Sequence, residues 1–318
     1  MKNIGTNIDI AASSLKKDNI VVIPTETVYG LGVNALSKKA VKKIFKLKNR
    51  PINDPLICHT DSLEKISKFV KYIPKKAKIL GSKYWPGPLT IIFDKKNIIP
   101  DITTSNLKTV GFRIPNNKIT IKLLEKLEFP IAAPSANMFS YISPTNTNHV
   151  IQNFKSGIDY IIEDGNCSLG IESTIIGFKK NKSIIYRLGS LTIEEIEKTI
   201  GKVEYKESND ISMPGSFKKH YSPNKKLYIG DINNIINSFN NKKIGVLCFD
   251  KKNKKIDRRL QIVLSKSSSL KEASKKLYSS LYLLDKMDID IIVTSLLPNN
   301  KLGKSVNDRI IKSGEIYE

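Results

Sequence analysis

At 318 residues the chain is long enough for two domains of ordinary size, each with a core of its own. A hydrophobic content of 40% beside 26% charged residues excludes a disordered chain, and no run approaches the roughly 18 apolar residues that a membrane span needs. The net charge of +23 favours anionic partners, but 47 of the 53 basic residues are lysines spread along the chain, so the six arginines, with their rigid bidentate fork, are the informative cations.

The opening residues, MKNIGTNIDIAASSLKKDN, hold no uninterrupted apolar segment and no cleavage-like site, so a cytoplasmic location is the expectation. Residues 7–18 read as a helix and 20–23 as a buried strand that ends at Pro24. Thr25, Glu26 and Thr27 follow, and Gly30 and Gly32 then suggest a turn behind Tyr29. Glu26 has two readings, a contact to a substrate amine or metal and a brace for that turn. Ser37 caps a helix with Ala40, Val41, Ile44, Phe45 and Leu47 on its apolar face, closed by Lys48 and Arg50. Cations at a helix C-terminus favour its dipole, which accounts for Lys48 without any ligand. It does not account for the use of an arginine.

Residues 55–58 form a short strand, and Asp61 with Glu64 is a capping-box signature for the next helix. Strands are expected at 89–93, 109–114, 130–133, 161–162, 173–178 and 183–187, and helices at 118–127 and 147–155, with a last one from Thr192 to Ile200. Residues 203–225 lack any apolar period and read as a linker between residues 1–202 and a smaller α/β unit of 226–318. In that unit strands are expected at 226–229, 243–249 and 289–295, and helices at 231–239, 269–287 and 304–313. The alternation of strands and helices makes the whole chain α/β.

Familiar nucleotide motifs are absent. Gly30-Leu31-Gly32 lacks the third glycine of a dinucleotide fingerprint, because Ala35 stands there, and Gly303-Lys304-Ser305 lacks the first glycine of a P-loop, because Pro298 does. Three scattered cysteines and three histidines give no metal-ligand spacing. Polar residues instead gather at predicted strand ends, where open α/β sheets place ligands. These are LKNRPINDPLICH at 47–59, TVGFRIP at 109–115, AAPSANMFSYISPT at 132–145, GIESTIIGF at 170–178 and Arg187 in YRLGS. An arginine within a strand, such as Arg113, needs a paired anion when buried.

Taken together and in order, PTETVYGLG, K-x-R-P with PLICH, GPLTIIF, VGFRIP, APSAN, SPT, ESTII and R-x-G resemble the YrdC/Sua5 family of threonylcarbamoyl-AMP synthases. The linker piece MPGSFKKHYSP and the tail GKSVNDRIIK resemble the long, two-domain form. Asp54 stands where the family usually has Asn or His, and Ala133 where Thr is common. The resemblance implies a YrdC-like twisted mixed sheet with a large cavity, followed by a smaller Rossmann-like domain. It implies a nucleotidyltransferase that condenses L-threonine, bicarbonate and ATP, with Mg2+ accompanying the nucleotide and no metal held by the protein. The product would feed the tRNA threonylcarbamoyl transferase machinery, with tRNA a further candidate partner.

By the same resemblance Lys48 and Arg50 are the catalytic cations. They join Asp54, Thr109, Ser135, Ser143, Arg187 and Tyr221 around ATP, while Thr27, His59, Arg113, Ala133 and Ser173 hold threonine. His220 and Tyr221 belong to a linker expected to close over the cavity as a lid. The alternative reading is a module that binds double-stranded RNA or tRNA without synthase activity. It rests on the charge of +23 and lacks any familiar RNA-binding pattern.

Overall fold

A computed structural model describes residues 3–180, 182–205 and 220–317. Among them eleven strands form one mixed sheet. In chain order these are β1 Asn3–Gly5, β2 Val21–Ile23, β3 Gly30–Asn34, β4 Ile57–His59, β5 Leu89–Asp94, β6 Thr109–Arg113, β7 Ile131–Ala132, β8 Tyr160–Ile162, β9 Thr174–Lys179, β10 Lys182–Arg187 and β11 Glu204–Tyr205. Their order in space is β1-β8-β2-β3-β7-β4-β6-β5-β9-β10-β11.

The helices are α1 Ile8–Lys16, α2 Lys38–Lys48, α3 Leu63–Ser67, α4 Lys75–Tyr84, α5 Lys118–Glu125, α6 Thr147–Asn153 and α7 Ile193–Ile200. Their starts follow side-chain chemistry. Ser37, Asn117 and Asn146 each accept a backbone N–H of the first turn, and Thr192 with Glu195 forms a capping box. Asp61, expected to open a helix, does not. Ser62 caps α3 instead, and Asp61 pairs with Lys65 at 3.0 Å.

Gly30 and Gly32 do not make a turn. They lie in β3, where Ile23 pairs with Gly30 and Val21 with Gly32 in antiparallel register. A Cβ on Gly32 would stand 2.8 Å from Ile131 Cγ2 and 3.0 Å from the Val21 carbonyl. Glycine is used there for close approach across the sheet. The strand escaped the sequence reading because glycine is depleted in strands. Helix α4 and the short edge strands β1 and β11 also went unread, since none carries a strong apolar period.

The second unit is a five-stranded, wholly parallel sheet. Its strands are β12 Lys226–Ile229, β13 Ile244–Cys248, β14 Gln261–Val263, β15 Ile291–Thr294 and β16 Glu315–Ile316, in the order β14-β13-β15-β12-β16. Helix α8 (Ile232–Ser238) covers one face, and α9 (Leu270–Lys286) and α10 (Leu302–Ser313) cover the other. Alternate residues along β13 serve the two faces, Val246 packing with Ile235 of α8 and Leu247 with Leu277 of α9. Parallel strands require such double cover.

Each unit has a core confined to itself, and one further cluster is shared between them. Val28, Ile142 and Ile171 of the first unit pack in one buried cluster with Leu277, Tyr278, Leu281 and Tyr282 of α9. Polar contacts reinforce it, with the Tyr282 hydroxyl donating to the Ile142 carbonyl at 2.8 Å and the Tyr141 hydroxyl to Asp285 at 2.7 Å. Each buried Leu or Ile there contributes about 1.5–3 kcal/mol, so α9 is fastened to the first unit rather than loosely tethered. Of the expected linker, residues 206–219 lie outside the described residues, including Pro214, Gly215 and Ser216.

Candidate functional site

Parallel pairing of β4 with β6 sets His59 opposite Arg113, and β7 brings Ile131 beside His59. An isolated bridge joins Gly30 to Ser135, and Ser173 immediately precedes β9, whose Thr174 is in register with Leu89. Strand ends from distant parts of the chain thus converge on one cavity. Its walls include Thr25, Thr27, Arg50, His59, Arg113, Ala133, Ser135, Ser173, Arg187 and Tyr221, together with Glu172 and His220.

One wall is built around Arg113, which is buried. Its Nη1 donates to Thr27 Oγ1 at 2.8 Å, its Nε to the Gly87 carbonyl at 3.2 Å, and its Nη2 pairs with Glu26 Oε2 at 2.8 Å. Neither reading of Glu26 describes its contact, because its carboxylate pairs with the Arg113 guanidinium. Thr25 holds the turn instead. Its Oγ1 accepts from the N–H groups of Thr27 and Val28 and contacts Thr27 Oγ1 at 2.7 Å. His59 is buried beside this arginine. Burial first, and then the Arg113 charge, pull its imidazole down to about 3, so it is neutral at physiological pH.

Other parts of the lining carry Arg50 and Arg187. The left-handed Asn49, with φ of 52°, ends α2 and turns Arg50 back toward Asp54. Arg50 Nη2 pairs with Asp54 Oδ1 at 2.7 Å and donates to the Pro55 carbonyl at 3.2 Å. Arg187 donates from Nε and Nη2 to the Ser173 carbonyl at 3.1 and 2.9 Å, and from Nη2 to Ser173 Oγ at 3.1 Å. Gly189 lets that strand end pass close, since a Cβ there would lie 2.3 Å from the backbone of Ser173 and Thr174.

Lys48 lies behind this lining. Its ammonium donates to the carbonyls of Ser135 and Asn137 and so braces the loop that presents Ser135. Burial pushes it well below the ordinary lysine range.

Four of the expected residues are placed otherwise than as simple cavity walls. The Ser143 hydroxyl donates to Glu172 Oε1 at 2.7 Å, and Asp54 stands behind Arg50 as its counter-ion. The N–H of Ala133 is taken by the Ile57 carbonyl at 3.0 Å, although the residue does line the cavity. Thr109 lies apart, at the start of β6, in a small apolar pocket with Leu56, Thr90 and Leu107 that shares only Pro55 and Ile57 with the main cavity.

Sequence reasoning placed Glu172 in a polar segment at a strand start without giving it a role, and did not single out Tyr278. The Glu172 carboxylate accepts from Ser143, from the Tyr278 hydroxyl at 2.8 Å and from Arg309 Nε at 3.0 Å. Burial opposes its ionisation, but the Arg309 and Arg187 charges outweigh burial and hold it down to about 2. Arg309 also lies over the Tyr221 ring at 5.3 Å, while Tyr221 stacks on Tyr278 with centroids 5.6 Å apart. Arg309 was flagged only as one of six arginines, and a charged residue in an amphipathic helix does not reveal which carboxylate it will meet.

Four buried arginines and Lys48 therefore face three carboxylates, those of Glu26, Asp54 and Glu172. Each carboxylate is already paired with an arginine. Such a cavity suits an anionic ligand, above all phosphates, for which arginine offers two parallel donors. Among the described residues no three His, Cys, Asp or Glu side chains converge as a metal site would require. No described helix is long and apolar enough to cross a membrane.

Comparisons with known proteins place the chain among relatives. The family described as telomere recombination, comprising Sua5, YciO and YrdC, matches residues 13–189, and the threonylcarbamoyl-AMP synthase C-terminal domain matches residues 191–314. The threonylcarbamoyl-AMP synthase of Pyrococcus abyssi is 36% identical, with 96% of this chain and 93% of the relative aligned. The Bacillus subtilis enzyme of the same name is 31% identical over 95% of this chain and 91% of its own. The crystal structure of P. abyssi Sua5 complexed with L-threonine superposes with a TM-score of 0.90 at 33% identity, covering 99% of both chains. Escherichia coli YciO, 22% identical with a TM-score of 0.52 over 59% of this chain and 96% of that one, shares the fold of the first unit.

Proposed function

The chain belongs to the Sua5–YciO–YrdC family in its two-domain form, and on that premise we propose that its cavity makes threonylcarbamoyl-AMP from L-threonine, bicarbonate and ATP. The observation that carries the reading is the meeting, in one buried cavity, of a Thr27–Arg113 wall with an Arg50–Arg187 wall. The first suits an amino acid and the second a polyphosphate.

The chemistry has two parts. The threonine amine adds to the carbon derived from bicarbonate, giving a carbamate with loss of water. A carbamate oxygen then attacks the α-phosphorus of ATP, and the bond to the departing pyrophosphate breaks. That makes the protein a nucleotidyltransferase.

In this reading Arg113, oriented by Glu26, holds the threonine carboxylate, and Thr27 and neutral His59 hydrogen-bond the rest of the amino acid. Arg50 and Arg187 contact the phosphates and stabilise charge on the departing oxygens. Lys48 and Asp54 place the Ser135 loop and Arg50, and Ser173 positions Arg187. No side-chain nucleophile is needed. Aligning the reactants supplies about 7–11 kcal/mol in well-oriented systems.

The carboxylates here are occupied by arginines, so these residues do not form a protein-held metal site. Magnesium is proposed only as the partner of ATP, held through phosphate oxygens. The product is proposed to pass to the tRNA threonylcarbamoyl transferase machinery in the cytoplasm.

The free volume of the cavity is about 60 Å³, whereas ligand pockets run to roughly 300–1,000 Å³. His220 and Tyr221, both buried, line the cavity, and Arg309 lies over the Tyr221 ring. In the lid reading His220 and Tyr221 withdraw as ATP enters, breaking the bonds from the His220 N–H to the Lys312 carbonyl and from the Ser222 N–H to the Ser140 carbonyl, both 2.8 Å. The small free volume supports that reading of the linker. So narrow and buried a cavity does not favour the duplex-RNA alternative.

The test is pyrophosphate release from ATP, bicarbonate and magnesium, with and without L-threonine. Threonine-dependent release is expected. A folded protein that shows none under these conditions overturns the proposal.

A further inference from the structure

The C-terminal unit contains a second crevice that the synthase reaction does not use. Strands β12 and β15 are neighbours, yet α8 leaves β12 onto one face of the sheet and α10 leaves β15 onto the other. Diverging connections of this kind open a crevice beyond the carboxyl ends of parallel strands, the place where open α/β sheets bind ligands. Here three strand ends border it. They supply Asp231 and Asn233 after β12, Lys251, Lys252 and Asn253 after β13, and Ser295 after β15. Its volume is about 310 Å³, within the range of about 300–1,000 Å³ for small-ligand sites. It shares no residue with the catalytic cavity.

The loop after β13 is held in a defined shape by a buried amide. Gln261 accepts from the Asn253 N–H at 2.7 Å and donates to the carbonyls of Asn253 and Ile256 at 2.9 and 2.7 Å. Asn253 Nδ2 then spans the crevice to Asn233 Oδ1 at 3.0 Å. Among the described residues the Lys251 ammonium and the Ser295 hydroxyl have no partner, and Asp231 uses only Oδ1, to cap α8 through the Asn234 N–H at 2.9 Å. Cations thus stand on one rim and a half-free carboxylate and an amide on another. That pairing suits a ligand with a phosphate at one end and sugar hydroxyls at the other.

We propose that this crevice binds a mononucleotide, its phosphate at Lys251 and Lys252 and its ribose hydroxyls at Asp231 and Asn233. The Lys252 ammonium already donates to the Arg258 carbonyl at 2.6 Å, so a nucleoside alone would leave Lys251 unpaired, and a phosphate alone would leave Asp231 Oδ2 unused. Because the crevice lies outside the catalytic walls, occupancy there is independent of the synthase reading.

Hydrogen exchange measured by mass spectrometry on the full chain tests it, with AMP, GMP, UMP and inorganic phosphate as separate probes. At least one nucleoside monophosphate should slow exchange in peptides covering 230–234 and 249–254 at concentrations where inorganic phosphate does not. The charge-reversed K251E/K252E chain should need at least tenfold more nucleotide for the same protection, with threonine-dependent pyrophosphate release unchanged. Absence of protection in those peptides at millimolar nucleotide overturns the proposal. So does equal protection by inorganic phosphate, or undiminished protection in K251E/K252E.

Discussion

Arg309 Nε donates to Glu172 Oε2 at 3.0 Å, joining two residues 137 positions apart, both buried. Glu172 adjoins Ser173 in the catalytic cavity, and Arg309 sits on the last helix of the C-terminal unit. Arg309→Leu should leave the carboxylate buried without its partner and cost about 3–5 kcal/mol of stability. The Glu172→Gln/Arg309→Leu double variant should recover part of that loss, because the unpaired charge is gone. Chemical denaturation of the two single variants and the double variant measures the coupling. Strict additivity would show that the pair does not act as a unit.

The Arg113 wall predicts a selective defect. Arg113→Lys keeps the charge but loses the fork that contacts Thr27 and Glu26 together. The KM for L-threonine should rise at least tenfold, equivalent to about 1.4 kcal/mol, while the KM for ATP changes little. Glu26→Gln should shift threonine KM in the same direction by freeing the guanidinium. Steady-state kinetics varying each substrate in turn makes the check, and equal effects on both substrates would remove the assignment.

Arg187→Ala and Lys48→Met should part company. Arg187 faces the cavity, and its loss should fall on ATP use, lowering kcat/KM for ATP by about 10²–10³-fold, the scale of removing one preorganised donor. Lys48 reaches only backbone carbonyls of the Ser135 loop in this structure. Lys48→Met should chiefly loosen that loop, seen as faster amide exchange around residues 133–137 with a smaller kinetic loss. A kinetic loss matching that of Arg187→Ala without loosening would make Lys48 a direct phosphate contact.

Stability should fall as the pH is lowered from 7. All three histidines are buried and titrate low when folded, His59 and His220 at about 3 and His149 at about 4, burial being the first cause in each. An unfolded histidine titrates near 6.5, so between about pH 6.5 and 4 the unfolded chain takes up protons that the folded chain refuses. Each histidine then contributes up to about 1.4 kcal/mol of lost stability per pH unit. Glu172, held down to about 2, acts in the same direction below its unfolded value of about 4.3. Thermal melts from pH 7 to 4.5 should show this slope, and His149→Gln should flatten it. A stability independent of pH across that window would contradict the burial of these rings.

Much of this was legible in the chain itself. Helix starts at Ser37 and Thr192 and strands such as Leu89–Asp94 depend on neighbours in sequence, through capping and side-chain period. The arginines were legible as well, because six of them against 47 lysines stand out by composition alone. Strand β3 was hidden because its glycines serve contacts across the sheet, with Ile131 nearly a hundred residues away. That Thr109 lies outside the lining of the main cavity was hidden for a related reason, since its strand leads into that cavity only at the far end, at Arg113.

The sequence by itself determined the α/β alternation, the two units, the absence of a long apolar span and which segments carry the polar chemistry. Periodicity, capping and composition are local properties. Tertiary structure alone decided which charges are paired. It turned Glu26 toward Arg113, Asp54 toward Arg50 and Glu172 toward Arg309, and so left, among the described residues, a cavity of oriented cations whose carboxylates each pair with an arginine. The reason is physical. A buried charge must find its counter-ion within a few ångströms, and the fold chooses that neighbour from anywhere along the chain.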